Sequence, residues 1–315
     1  MPRMTANLLL LTAAIVWGAA FVAQSTAMES IGPMNFTGVR FLLATLAVAP
    51  FAYFERRRVS NPIPLPVIGK GILVGVVFFS GMAFQQFGFA TTSVTNAGFL
   101  TALYVPLTPV IGVLIFRSWP TPIIWPIVAI SVLGAYLLAG SLETMKEGDI
   151  LMLFSALSWA LQIIFVGRMV SKYGNPLAFA FLQFATAGVL GFLGGLPFET
   201  MDLSSLQGAW FQIIYTGVFS GALAFGLQAI GQRYTPPADA AIILSGESVF
   251  AAIFGALLLS ERLTSTQYLG CFLIFSCILL VELLPQIQKR LRRAKKTTEA
   301  TEATEATEAS ADIPA

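Results

Sequence analysis

Apolar residues run for about twenty positions at a time along this chain, and short polar breaks separate one run from the next. A helix that is apolar all round must be covered by protein or by lipid. A bilayer's hydrocarbon core takes about 20 residues of helix to cross. On that ruler the pattern predicts ten spans, at about 6–28, 33–54, 67–90, 94–116, 122–140, 149–170, 176–196, 209–231, 237–259 and 264–284. The expected fold class is an all-α integral membrane protein. The first run follows Arg3 and resembles a signal peptide in outline, but its length and its match to a later helix predict a retained span.

That match belongs to an internal repeat. Thr235–Arg262 lies without a gap on Thr92–Trp119 at a shift of 143, pairing Thr92 with Thr235, Ala97 with Ala240, Gly112 with Gly255 and Leu114 with Leu257. A shift of 142 pairs Leu9 with Leu151, Leu11 with Leu153, Ala14 with Ala156, Trp17 with Trp159 and Gly32 with Gly174. Residues 6–140 and 149–284 therefore read as two copies of a five-helix unit. Five is odd, so the second copy enters the membrane from the opposite face, and the expectation is ten transmembrane helices in two inverted repeats. Residues 285–315 form a tail, basic at 289–296 (KRLRRAKK) and then a Thr-Glu-Ala repeat from Thr298 to Ala309. Glutamate at every third position leaves no apolar helix face. The basic run is expected to anchor topology and to touch anionic membrane lipid on the cytoplasmic side.

Composition strengthens the membrane reading. The chain is 56% hydrophobic and 11% charged, too few polar residues to clothe a water-soluble globule of 315 residues. A net charge of +2 indicates no nucleic-acid partner, because basic residues in a membrane protein report which side a loop faces. With a cytoplasmic N-terminus, fifteen Lys and Arg fall on inner segments and only Lys146 and Arg262 on outer ones. The acids Glu29, Glu143, Glu147, Glu199, Asp202 and Glu261 fall outside. Both termini are thus expected in the cytoplasm of a multi-pass protein of the cell inner (plasma) membrane. The chain has no histidine, which excludes imidazole from any metal site, catalytic triad or proton relay. Cys271 and Cys277, six apart on one predicted helix, lie about 9 Å apart along its axis, beyond a disulfide's reach.

Candidate chemistry follows from the cost of polar groups in lipid. Glu247 is a single carboxylate ten residues into its span, and the repeat lays it on Tyr104. Each lies on a helix carrying helix-weakening residues, Pro106 and Pro109 in the first unit, Ser245 and Gly246 in the second. Paired interrupted helices of this kind mark the binding site of a transporter. Arg40 lies about seven residues inside its span, and Trp17 and Trp159 are too deep for an interfacial belt. The expected substrate-binding residues are Trp17, Arg40, Tyr104, Trp159 and Glu247. Gln85, Gln86, Asn96, Gln162, Gln183 and Gln228 are expected mainly as interhelical contacts. No catalytic residue, metal or cofactor is expected. Asp149, Asp202, Asp239 and Asp312 are too scattered for an intramembrane transferase, which is the reading from another class.

Trp17-Gly18, Arg40-Phe41-Leu42, Glu247 and Ser260-Glu261-Arg262, set on ten helices in two units, resemble the EamA-type transporters of the drug/metabolite transporter superfamily. The resemblance spans residues 6–284. It implies an inner-membrane carrier, commonly an exporter of amino acids or other small metabolites, with a central cavity lined by both halves. A lipid or lipid-carrier flippase of the same fold is the alternative. Ser248 stands where proline commonly follows the family glutamate, and Ser260 where glycine is frequent, so the kink of the ninth helix is left open. Proton coupling through Glu247 is a further expectation, drawn from its depth alone. The sequence assigns no substrate, direction or oligomeric state.

Overall fold

The computed structural model describes residues 1–58, 65–139, 146–260, 262–281 and 283, and they are helical almost throughout, with no strand among them. The basic run 289–296, the Thr-Glu-Ala repeat and the loop acids Glu143 and Glu261 lie outside the described residues. In chain order the helices are α1 (Arg3–Ala27), α2 (Pro33–Arg58), α3 (Leu65–Gly88), α4 (Val94–Ala102), α5 (Tyr104–Phe116), α6 (Ile124–Ala139), α7 (Glu147–Tyr173) and α8 (Pro176–Gly195). There follow α9 (Leu203–Gly208), α10 (Trp210–Ile214), a π-helical segment Tyr215–Phe225, α11 (Gly226–Gln232), α12 (Pro237–Leu244), α13 (Gly246–Leu258) and α14 (Ser265–Val281). Eight continuous stretches are long and apolar enough to cross a membrane, counting α4–α5, α10–α11 and α12–α13 as one each. The apolar helices α6 and α14 are shorter. Arg56, Arg57 and Arg58 carry α2 past the predicted end at 54, because cations in a last turn stabilise the exposed carbonyls there.

The outer surface is apolar, and polar side chains are held inside an otherwise apolar core. Leu46, Leu114 and Leu257 are each more than 70% exposed. Arg40, Glu247, Gln85, Gln86, Gln162 and Gln228 are buried. This arrangement suits a chain whose solvent at mid-height is hydrocarbon.

The most extensive seam joins α2 to α8. A Cβ built on Gly38 would stand 2.6 Å from Phe192 N, and one on Gly191 would stand 2.6 Å from Gly38 N, so the backbones touch. Small residues permit that approach where lipid offers no hydrophobic drive between helices. Each helix also receives a carboxylate from the far end of the other, Glu55 in the last turn of α2 and Glu199 just past the end of α8. Glu55 accepts from Leu177 N and Ala178 N at 3.0 Å each, at the start of α8. Glu199 accepts from Met34 N and Asn35 N at 2.9 and 2.8 Å, at the start of α2. Free N–H groups and the positive end of the helix dipole favour an anion at both places.

Both interrupted helices break near mid-height, by different chemistry. In the first, the break falls at Leu103, three residues before Pro106, which has no N–H to continue the ladder. In the second it falls at Ser245, three residues before Ser248. There Ser245 Oγ donates to Ile242 O and Ser248 Oγ to Ser245 O, both at 2.7 Å. Hydroxyls take carbonyls that a straight helix gives to backbone N–H groups. The proline absent after Glu247 is thus not needed for the interruption.

Candidate functional site

Beside the two breaks lies a small cavity of about 30 Å³. One water needs about 10–15 Å³ of such space, so it holds about two. Trp17, Tyr104, Trp159 and Glu247 all line it. Tyr104 and Glu247, one residue past the break in α5 and two past it in α13, face each other as electrostatic neighbours. The buried Tyr104 hydroxyl has no hydrogen-bond partner of normal geometry. The two indoles are fixed by donors turned into the protein: Trp17 Nε1 to Ser220 O at 3.1 Å, and Trp159 Nε1 to Gln85 Oε1 at 3.0 Å. Trp159 also stacks on Phe225, with centroids 5.7 Å apart.

Arg40, the fifth expected residue, does not line the cavity. Its side chain is turned inward and is 1% exposed, one layer behind the wall. Nη1 donates to Gln24 Oε1 at 2.8 Å and Nη2 to Met82 Sδ at 2.9 Å, and both acceptors do line the cavity. The guanidinium lies 4.9 and 4.7 Å from the ring centroids of Phe36 and Phe41. Aromatic faces attract a cation where no anion is at hand. No carboxylate pairs with Arg40 among the described residues.

Amides fill much of the remaining wall. Gln162 Nε2 donates to Gln183 Oε1 at 3.0 Å, and Gln228 Nε2 donates to Gln162 Oε1 at 3.1 Å. Gln162, Gln228 and Gln85 reach the cavity, while Gln183 stands behind them. Three residues expected as interhelical contacts thus serve the wall as well. Gln24 was not singled out in the sequence. Its signal was an amide 22 residues into α1, where lipid would leave it unsatisfied.

The lining is drawn from corresponding places in the repeat. At shifts of 142 or 143, Trp17 meets Trp159, Gln85 meets Gln228 and Tyr104 meets Glu247. The same shifts join Phe21 to Ile163, Met82 to Phe225 and Thr101 to Leu244, all at the wall. A separate vestibule of about 360 Å³ lies at the end of the bundle that holds the N-terminus, with Arg3, Arg168 and Asp239 on its wall. No group of three or more acids or cysteines that could hold a metal ion occurs among the described residues.

Known proteins share this build. An uncharacterized transporter of Archaeoglobus fulgidus is 34% identical over 284 residues, 89% of this chain and 87% of its own. The uncharacterized transporter YdfC of Bacillus subtilis is 25% identical, covering 81% and 83%. The uncharacterized inner membrane transporter YedA of Escherichia coli is 24% identical, covering 85% and 88%. A solved crystal structure superposes with a TM-score of 0.73 over 92% of this chain and 99% of its own, at 19% identity, which shows a shared fold. The family model of EamA-like transporters matches residues 4–140 and, a second time, residues 146–283. With nearly all of the apolar chain covered by the two matches, this multi-pass membrane protein belongs to the EamA-like transporter family.

Proposed function

We propose that the protein is a secondary transporter of amino acids or other small metabolites, working as an exporter by alternating access across the inner (plasma) membrane. Two inverted five-helix units, residues 6–140 and 149–284, move about a midplane site that contains Glu247, Tyr104, Trp17 and Trp159, with Arg40 setting its wall through Gln24. The observation that carries this reading is the cavity itself, whose wall pairs corresponding residues of the two units around one carboxylate. A buried ionisable group facing a cavity at mid-height is the signature of a solute or proton path.

Contacts between chain ends support ten crossings. The hydrogen bond from Thr92 to Asp149 joins the end of α3 to the start of α7, which supports two crossings by the intervening chain. On this reading α6 is a span despite its 16 residues, about 24 Å at the helical rise. The mirrored caps agree: Glu55 and Leu177 share one face, and Glu199 and Met34 the other. With these crossings, nine of the described basic residues fall on the N-terminal face and two, Lys146 and Arg262, on the other. That asymmetry supports a cytoplasmic N-terminus.

The test compares metabolites inside and outside cells with and without the protein, then measures flux of the solute so found in proteoliposomes. Glu247→Gln is expected to reduce flux at least tenfold, while wild-type flux responds to an imposed pH gradient. Undiminished flux in Glu247→Gln removes the residue's role, and indifference to the gradient removes proton coupling.

A further inference from the structure

The two ends of the bundle carry matched contacts that no cavity residue takes part in. At one end Thr92 Oγ1 donates to Asp149 Oδ1 at 2.9 Å. At the other Thr235 Oγ1 donates to Asn7 Oδ1 at 2.7 Å. Thr92 and Thr235 are 143 positions apart and Asn7 and Asp149 are 142 apart, the two shifts of the internal repeat. A second contact corresponds in one partner only: Asn96 Nδ2 donates to Asp149 Oδ1 at 2.8 Å, and its counterpart Asp239 pairs with Arg3 instead of Asn7.

Beneath each contact a glycine lets the backbones meet. A Cβ on Gly88 would stand 3.0 Å from Gly148 O, and one on Gly231 would stand 3.0 Å from Ala6 O. Gly88 and Gly231 are again 143 apart, Ala6 and Gly148 again 142. In every case but that of Arg3, which stands one residue before the first match, one partner belongs to residues 4–140 and the other to residues 146–283. Each clasp therefore ties the two matched segments together at one end, and the small cavity lies between the clasps.

We infer that these clasps are the two gates of the transport cycle, released one at a time. Thr92, Asn96 and Asp149 close one end; Thr235 with Asn7, and Arg3 with Asp239, close the other. This rests on the alternating-access reading above. While both clasps are made the central cavity has room for only about two waters, too little to pass a solute of metabolite size. The clasps differ in one respect. Asp149 is 4% exposed and also accepts from Lys146 N at 2.9 Å, whereas the Arg3 side chain is 36% exposed and borders the vestibule. The ionic clasp is reached by water and salt, which screen an exposed pair.

The experiment needs no substrate. In the full-length protein, with Cys271 and Cys277 replaced by alanine, a Thr101→Cys reporter in the cavity wall is labelled with a membrane-impermeant methanethiosulfonate from either face of oriented vesicles. Asp239→Asn and the near-isosteric Thr235→Val are expected to speed labelling from the N-terminal face about tenfold, the factor that one lost hydrogen-bonded contact gives. Thr92→Val is expected to do so from the opposite face alone. Equal acceleration at both faces, or unchanged labelling in both Thr→Val proteins, overturns the assignment. Face-specific labelling in a wild-type protein that moves no solute would leave the gates in place and overturn the transport reading alone.

Discussion

Arg40 Nη1 and Gln24 Oε1 lie 2.8 Å apart, and only the acceptor reaches the cavity. The cation therefore acts on the site through an amide whose orientation it holds, while Phe36 and Phe41 supply the attraction that a counter-ion otherwise would. A lysine has no fork with which to serve Gln24 and Met82 together. Arg40→Lys is expected to lower flux about tenfold and to lower stability in detergent by roughly 1.5–3 kcal/mol, the range for hydrogen bonds to a charged group. Gln24→Glu, which accepts from the same guanidinium, is expected to preserve stability while changing KM. Arg40→Lys with wild-type flux and thermal midpoint would remove the positioning role.

The α2–α8 seam gives a sharper packing prediction. Gly38→Ala and Gly191→Ala place a methyl group within 3 Å of backbone on the partner helix, which no rotamer change relieves. Overpacking of this kind costs about 1–3 kcal/mol. Gly69→Ala is the control, because a Cβ there meets nothing within 4 Å. It should be neutral or stabilising by up to about 1 kcal/mol, as in any exposed helix interior. Thermal unfolding in detergent separates the two outcomes.

The exchanged caps predict additivity. Glu55→Ala and Glu199→Ala each leave two backbone N–H groups without an anion, at opposite ends of one helix pair. Each is expected to cost about 1 kcal/mol. The double variant should lose the sum within about 0.5 kcal/mol, since the sites share no partner. A double variant no worse than either single would show that the two caps are coupled through the seam.

Outside the membrane, Asp202 caps α9. Its Oδ1 accepts from Ser205 N, Ser205 Oγ and Ser204 Oγ at 2.8, 2.7 and 2.9 Å. Those donors hold its carboxyl down to about 2, from an ordinary value of 3.8, with the Ser205 backbone N–H acting most strongly. Because the folded state binds the proton more weakly, the cap contributes fully above about pH 5 and is lost as the pH falls toward 2. Protection of the Ser205 amide from hydrogen exchange, corrected for its intrinsic pH dependence, should follow that course and should lose its pH dependence in Asp202→Asn.

Much of the candidate cavity's lining was legible because duplication places Tyr104 opposite Glu247 and Trp17 opposite Trp159 before any coordinate is known. The clasps were only half legible. Thr92 and Thr235 stood out as an aligned pair, but their acceptors Asp149 and Asn7 differ in charge and so drew no notice as counterparts. Arg40 was legible in depth and not in direction. Its helix is apolar on every side, so nothing in the pattern tells which face turns toward the cavity.

Sequence alone determined the membrane class and the helical segments, because a backbone in hydrocarbon must satisfy its hydrogen bonds within its own helix, and length and hydropathy record that demand. Tertiary structure alone decided which helix faces meet, that Arg40 stops behind Gln24, and that Glu55 and Glu199 cap each other's helices. Between helices in lipid no hydrophobic gradient chooses the partner. The choice falls to close backbone approach, as at Gly38 and Gly191, and to buried polar groups that must each find one another.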